Sequence, residues 1–568
     1  MLDSAKAPAQ PVLRPPDEVM RLARMGSFYQ SRLSFMRSLV RRMQREAWRI
    51  TRDRFDLDRD GYGTAVYRVA TPYGDFSLVA FSHELAPEER SDRVIAEKWD
   101  ATFALAIGRP DEAAVERLRA NVPRQEAGRC SAQELVLSRA NKSVRLFDHV
   151  VERLAAGQQP DIAALAEVGY LMRTTAVYGN GKFGLADRPK IHDGPVLNGP
   201  FQAEMLTVYL IREFTFDLVA HIAAQRSPET AVALAPERKR MLGIGNATGL
   251  GMAPFLISHP KLLHRWIAAR ETAIARVRAV AQAAPAERQH FEALLARARR
   301  HIGQWHTGDP RFSARIEILR PELAAFAKWV EAERAGVLAG PNPWEAVVAK
   351  ARETLSLEGQ ELVNSLILEP YPDLVDELEA TMCSDEVLNL RPEMTLAALK
   401  ALIEKRYGWA LRFDFAKPAA QHLFWYVSEE KLEPRLGERE REPGADKEMR
   451  IGVARDLHQL YEALAQEAAE HPTRMVAEFL LRKPAWRHLV RRVQGLADCP
   501  YAEIRDNLLD RDCIAIDILR CKLAFFGASK FDPKSDRWLR ITMYQGAPPA
   551  EALAASDADD WAFFVVPA

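Results

Sequence analysis

The chain is poor in cysteine: five among 568 residues, at Cys130, Cys383, Cys499, Cys513 and Cys521, with no C-x-x-C pair. An odd, scattered set excludes a disulfide framework and a zinc ribbon, and a reducing cytoplasm is the default location. An excess of either charge is also missing. Lys plus Arg and Asp plus Glu each number 78, so no global field attracts nucleic acid or an anionic membrane, and neither is expected as a partner. No window holds the run of about eighteen uncharged apolar residues that a bilayer-spanning helix requires. The opening MLDSAKAPAQPVLRPPDE has no apolar core of signal-peptide length and is rich in proline. It reads as a disordered leader over residues 1–16.

Familiar catalytic and metal signatures are lacking too. There is no G-x-S-x-G elbow. Asp56-Leu-Asp-Arg-Asp-Gly61 opens like a calcium loop but has Tyr67 where the bidentate Glu belongs, so it reads as a polar turn. His259 with His264 and His301 with His306 miss the i, i+4 spacing of a helical zinc pair and read as surface or capping residues. No metal set and no cofactor is assigned. The one strongly basic run, RSLVRRMQREAWR from Arg37 to Arg49, has the period of a helix whose basic side is solvated.

What the chain does have is self-similarity at an offset of roughly 345 residues. Tyr62, Gly63, Pro72, Ser82 and Glu84 face Tyr407, Gly408, Pro418, Ser428 and Glu430. ELVLSRANK from Glu134 faces EFLLRKPAW from Glu478, and AVYGNGKFG from Ala176 faces AFFGASKFD from Ala524. The fold class read from this pattern is mainly α with small β-hairpins and sheets (α+β), a duplicated module in pseudo-twofold arrangement around a helical insert. The first module spans 17–206, the insert 207–380 and the diverged second module 381–568. Within the first module, GTAVYRVATPYGDFSLVAFSH is two strands about a turn at Thr71-Pro72-Tyr73-Gly74. In the second, WALRFDFAKPAAQHLFWYVSEE alternates in the same manner. LTVYLIREFTFDLVAHIAAQ is apolar around most of its circumference and predicts a buried helix. ETAIARVRAVAQAAPAERQHFEALLARARRHI predicts an exposed helical hairpin turning near Pro285, and Gly340-Pro341-Asn342-Pro343 punctuates the insert.

Three stretches carry candidate chemistry. The Gly-x-(Gly/Ser)-Lys-Phe loops combine small residues, which let backbone amides approach a ligand, with a cation: Asn180 and Lys182 in the first copy and Lys530 in the second. Neither is a P-loop, and a turn whose Lys points into water is the bland reading. MLGIGNATGLGMAPFLISHP, from Met241, presents Asn246, Thr248 and Gly249 in a glycine-rich turn ahead of an apolar helix, where free amides suit an anion. A close crossing permitted by glycine is its plain alternative. Asn198, Gln202 and Glu204 lead into the apolar helix containing Arg212. A buried Arg there could hold a substrate carboxylate while Glu204 transfers a proton, or the two could form a structural pair. Ser82 and Glu84, with their counterparts Ser428 and Glu430, sit on one side of strand ends that could face a shared cleft.

The expected function is an intracellular enzyme on a small anionic metabolite, carboxylate- or phosphate-bearing, in a cleft between the modules. Proton-transfer lyase or isomerase chemistry is weakly preferred, with Glu204 and Lys182 catalytic and Asn180, Asn198, Gln202, Arg212, Asn246, Thr248, Gly249, Lys530, Ser428 and Glu430 binding substrate. The rival is a noncatalytic ligand-binding or assembly protein, and a homo-oligomer stays open.

Overall fold

The computed structural model describes residues 12–567 apart from 85, 87, 89–98, 122–130, 132, 180–196, 198, 200, 247–256, 258, 308–309, 384–386, 417–422, 429–433, 439–447, 451–452, 506–519, 529 and 534–538. Strands β1 (Arg49–Leu57), β2 (Gly63–Thr71), β3 (Gly74–Ser82), β4 (Ala101–Ile107), β5 (Glu134–Lys142) and β6 (Tyr170–Gly179) each pair antiparallel with the next. Strand β7 (Gly243–Asn246) lies parallel to β6. Strands β8 (Leu423–Ser428), β9 (Pro434–Glu438) and β10 (Glu448–Arg450) form a separate three-stranded sheet. Near the C-terminus, β11 (Lys530–Pro533) and β12 (Leu539–Met543) return to β7 and close a nine-stranded order β1-β2-β3-β4-β5-β6-β7-β12-β11.

The longer helices are α1 (Phe35–Arg45), α2 (Glu112–Asn121), α3 (Phe147–Ala155), α4 (Gln202–Arg226), α5 (Pro260–Arg278), α6 (Pro285–Gly303), α7 (Pro310–Ala332), α8 (Pro343–Thr354), α9 (Leu357–Leu366), α10 (Leu396–Leu411) and α11 (Val453–Glu470). The class is therefore α+β, mainly helical, with a mixed sheet. No described helix is long and apolar enough to cross a membrane.

Local sequence explains the antiparallel half. The expected turn forms at Thr71–Gly74, where Thr71 Oγ1 donates to Gly74 O at 2.7 Å and Gly74 takes φ 139°. The Asp58 carboxylate accepts from the amides of Asp60 and Tyr62, both at 2.9 Å, so the calcium-like motif is a turn between β1 and β2. Period-two alternation sends Ala65, Tyr67, Val69, Leu78 and Ala80 into the main core. Val66, Val79 and Phe81 go to the opposite face, where Val115 and Leu118 of α2 cover them.

Parallel strands cannot be joined by a tight turn. The connection from β6 to β7 contains α4, which is buried along almost all of its length from Ala203 to Ala223, as its apolar circumference predicts. The 206/207 boundary of the expected modules thus falls between consecutive residues of this helix. The region 207–380 also holds β7, which the sequence presents as a glycine turn before a helix. Its glycines are required by neighbours: a Cβ on Gly243 would lie 2.1 Å from Met543 O, and one on Gly245 would press on the Tyr170 ring at 3.0 Å. The helical hairpin about Pro285 is present as α5 and α6, but Trp266, Ile274, Phe291 and Leu295 are buried, so the pair is half-embedded rather than exposed. Gly340–Pro343 does end one helical stretch, with Asn342 at φ 48° before α8.

The duplication is not shown. ELVLSRANK is strand β5, whereas EFLLRKPAW runs through the helix Val476–Arg482 into a 3-10 turn. Ala176–Gly179 is the end of β6, whereas Lys522–Phe526 is a π-helical turn capped by Gly527 at φ 94°. Tyr62-Gly63 opens β2, whereas Tyr407-Gly408 lies within α10. Short blocks of matching letters carry little information about backbone state, because burial and strand pairing are decided by distant partners.

Two further expectations change for one reason. The basic residues of α1 are not all solvated: Arg37 and Arg41 are buried, while Arg45 is exposed. Arg37 donates to Glu369 at 2.6 and 2.8 Å and to Asp559 at 2.9 Å, and Arg41 to Asp559 at 2.9 Å and also to Glu379. Arg32 forks onto Asp376, two bonds of 2.7 Å. The leader expected to be disordered through residue 16 contains Arg14, which is buried and forks onto Glu271 at 2.7 and 2.8 Å while donating to Glu361 at 2.7 Å. The acids lie hundreds of residues away, beyond any local period.

Substitution Glu369→Gln would leave Arg32 and Arg37 buried with a weakened partner. It should lower the unfolding free energy by roughly 3–5 kcal/mol, whereas Asp56→Asn at the exposed Arg54 pair should cost less than about 1 kcal/mol. Equal urea midpoints for the two variants would refute the difference. Burial pushes the Glu361 carboxyl up, but Arg14 and Arg270 outweigh it and bring it down to about 2. Its stabilising contribution is therefore complete above its ordinary value of 4.5 and is lost as pH falls towards 2. Acid titration of wild type against Glu361→Gln should show that loss in wild type only.

Candidate functional site

The sheet is parallel where β6 meets β7, and that is where a polar pair is buried. Register places Thr174 against Asn246. Asn246 Nδ2 donates to Thr174 Oγ1 at 2.9 Å, and Thr174 Oγ1 donates to Gly245 O at 3.3 Å. On the other side Asn246 faces Ile541 of β12, and the next rung joins Thr542 to Lys530 of β11. Two sequence candidates, Asn246 and Lys530, thus come from neighbouring rungs of one sheet. Strand β7 ends here at Asn246, whereas β6 runs on past Thr174 to Gly179. Thr174 was missed because its partner is 72 residues distant; a Thr within a strand gives no signal of its own.

Asn180, Lys182, Asn198, Thr248, Gly249 and Glu430 lie outside the described residues. Ser428 does not join Ser82: it ends β8 in the small sheet, opposite Glu448, whereas Ser82 ends β3 in the large one, opposite Gly63 and Ala101.

Gln202, Glu204 and Arg212 all belong to α4. Gln202 Oε1 accepts from Arg42 at 2.7 Å. Glu204 is buried in the first turn, where the helix dipole favours a carboxylate. Arg212 was expected to hold a substrate carboxylate or pair with Glu204. Instead Nε donates to Leu242 O at 2.8 Å, Nη1 to Pro548 O at 3.3 Å, and Nη2 to Lys239 O at 3.0 Å and Ala547 O at 2.8 Å. Those carbonyls engage four of its five N–H groups. Tyr209 Oη donates to Pro548 O at 2.8 Å and Tyr544 Oη to Met205 O at 2.9 Å. This face of α4 is a clamp on the segment that follows β12.

Glu213 belongs to the same clamp. It accepts from the Ala550 amide at 3.1 Å and lies 3.7 Å from Arg212. Burial pushes its carboxyl up to about 7 despite Arg212, and burial likewise lowers the Arg212 guanidinium. His301, read as a surface or capping residue, is buried with Nδ1 2.8 Å from Phe564 O, and burial lowers its pKa. Burial, with Arg265 and Arg406, takes His264 down to about 4. Among the described residues no three His, Cys, Asp or Glu side chains are grouped to hold a metal. Compared with models of protein families, with curated proteins and with solved structures, the chain matches none.

A carboxyl group held near 7 in the fold and at about 4.5 when unfolded favours the native state fully below 4.5, and that advantage is lost as pH rises through 7. Glu213→Gln, which keeps the acceptor for Ala550, should therefore raise stability at pH 8 by about 3 kcal/mol and leave it nearly unchanged at pH 4.5. Denaturant melts at the two pH values decide; an equal effect at both would refute it.

Proposed function

We propose that this chain acts on a small anionic metabolite, carboxylate- or phosphate-bearing, at the carboxyl edge of β6 and β7. The observation that carries the reading is the parallel pairing itself. Adjacent parallel strands end at Gly179 and Asn246, and the two glycine-bearing stretches with Asn180, Lys182, Thr248 and Gly249 are the sequence that continues from these two ends. Ligands of open sheets with parallel strands collect outside strand carboxyl ends, and small residues there let amides approach an anion. The buried Asn246–Thr174 pair supplies polar groups at the end of β7.

Proton transfer of the lyase or isomerase kind is the proposed chemistry, with Lys182 as the cation facing substrate charge and Glu204 as the acid-base group. Arg212 is left out, since its guanidinium serves main-chain carbonyls. Nothing in this reading requires the two halves of the chain to be related.

Pooled carboxylates and phosphates should raise the melting temperature of wild type; a ligand at a hundred times its Kd contributes about 2.7 kcal/mol. Lys182→Ala and Asn246→Ala should abolish the shift. Loss of the stabilising compound over time, followed by mass spectrometry and slowed at least about 100-fold by Glu204→Gln, would support catalysis. Undiminished shifts in both Lys182→Ala and Asn246→Ala would overturn the site, and stabilisation without turnover would overturn the enzyme reading.

A further inference from the structure

Residues 501–505 are buried against the N-terminal segment, where the Arg505 amide donates to Met20 O at 2.7 Å. Arg505 is only 8 % exposed, and its guanidinium carbon lies 4.7 Å from the centre of the Trp409 ring on α10. A cation is thus held over an aromatic face. That contact uses the face of the guanidinium and leaves its edge, which carries all five N–H groups.

The edge lacks acceptors. Arg505 Nε and Nη1 are buried without a hydrogen-bond partner, and among the described residues Arg505 is the one with two such atoms. Trp409 Nε1 is a third buried donor in the same condition. Other buried guanidinium groups of this fold do find carboxylates, as Arg14 forks onto Glu271 and Arg32 onto Asp376. Here the acids are engaged or outside. Glu503 accepts from Arg492 at 2.8 Å on each oxygen and from Tyr407 Oη at 3.2 Å. Asp17 lies 3.3 Å from Arg505 Nη2, but its side chain is 79 % exposed, so it meets the guanidinium from the solvent side. Burial lowers the Arg505 pKa, and the nearby charge of Arg21 lowers it further, despite Asp17 and Glu503. Buried donors left unmet are costly and rare in folded proteins.

We infer that the free edge of Arg505, beside Trp409, is a phosphate-binding site. All three unmet groups are donors, so the ligand that fits them is an acceptor, which excludes amines and metal ions and selects an oxyanion. A guanidinium edge matches two oxygens of such a group through parallel hydrogen bonds. The second cation at Arg21 favours phosphate, with its higher charge, over a single carboxylate. The site does not rest on the proposed anion site at the carboxyl edge of β6 and β7, and shares no residue with it.

Isothermal titration of the full-length protein with sodium phosphate, against sodium chloride at matched ionic strength, tests the inference. Saturable phosphate binding is expected, weakened at least about tenfold in Arg505→Met and tightened in Asp17→Asn, which removes the competing carboxylate. An arginine that served packing alone would not give these opposite signs. Binding through Arg505 should persist in Lys182→Ala, so failure of this site and failure of the one at β6 and β7 are read separately. Should Arg505→Met prove unfolded by circular dichroism, Arg505→Lys keeps the charge, loses the fork and should weaken phosphate in the same direction. Absence of saturable heat, equal affinity in the Arg505 variant, weaker binding in Asp17→Asn, or an equal response to chloride would overturn the site.

Discussion

The structure depends on burying arginine guanidinium groups against carboxylates that arrive from far along the chain. Arg14, Arg24 and Arg270 surround Glu361, Arg32 and Arg37 share Glu369, and Arg520 meets Glu358, which also accepts from the Phe28 amide at 3.1 Å. Burying each charge alone would cost several kcal/mol, so every member is tolerable only while its partners are in place. The arrangement therefore fixes how the N-terminal segment, the helices α5 and α9 and the C-terminal residues are placed together. Bidentate geometry makes the constraint directional as well as strong, since a guanidinium fork matches a carboxylate in one plane.

A second constraint acts through main-chain carbonyls and an amide. Helix α4 crosses beneath the sheet as the link between two parallel strands, and its polar residues Tyr209, Arg212 and Glu213 seize residues 547–550 after β12. That grip sets β12 beside β7 and extends the sheet with chain from the far C-terminus. An arginine that looks like a substrate hand in the sequence is thus used to satisfy buried carbonyls, which would otherwise be left without donors. Glycine at 243 and 245 is the complement of this closure, because β12 and Tyr170 approach where a side chain would stand.

Local features were legible before any coordinates: the Thr71–Gly74 turn, the Asp58 turn, the buried character of α4 and the breaks at Pro285 and Pro343. Each depends on a few adjacent residues and a backbone preference they impose. The polar face of α1 was misread because its residues look the same whether water or a carboxylate receives them. The matched blocks near Glu134 and Glu478 were misread for a related reason: identical letters at intervals do not decide between strand and helix once one segment is paired in a sheet and the other packs as a helix.

By itself the sequence determined the α+β class, the hairpin of β2 and β3 and the identity of the glycine-bearing stretches that follow β6 and β7. Only the tertiary structure decided that β6 and β7 are parallel neighbours, that Asn246 pairs with Thr174, and that Arg505 lies over Trp409. The physical reason is range. Steric preferences and side-chain periodicity act over a turn or a strand, whereas ion pairing, strand order and ring contacts join residues that the chain keeps tens to hundreds of positions apart.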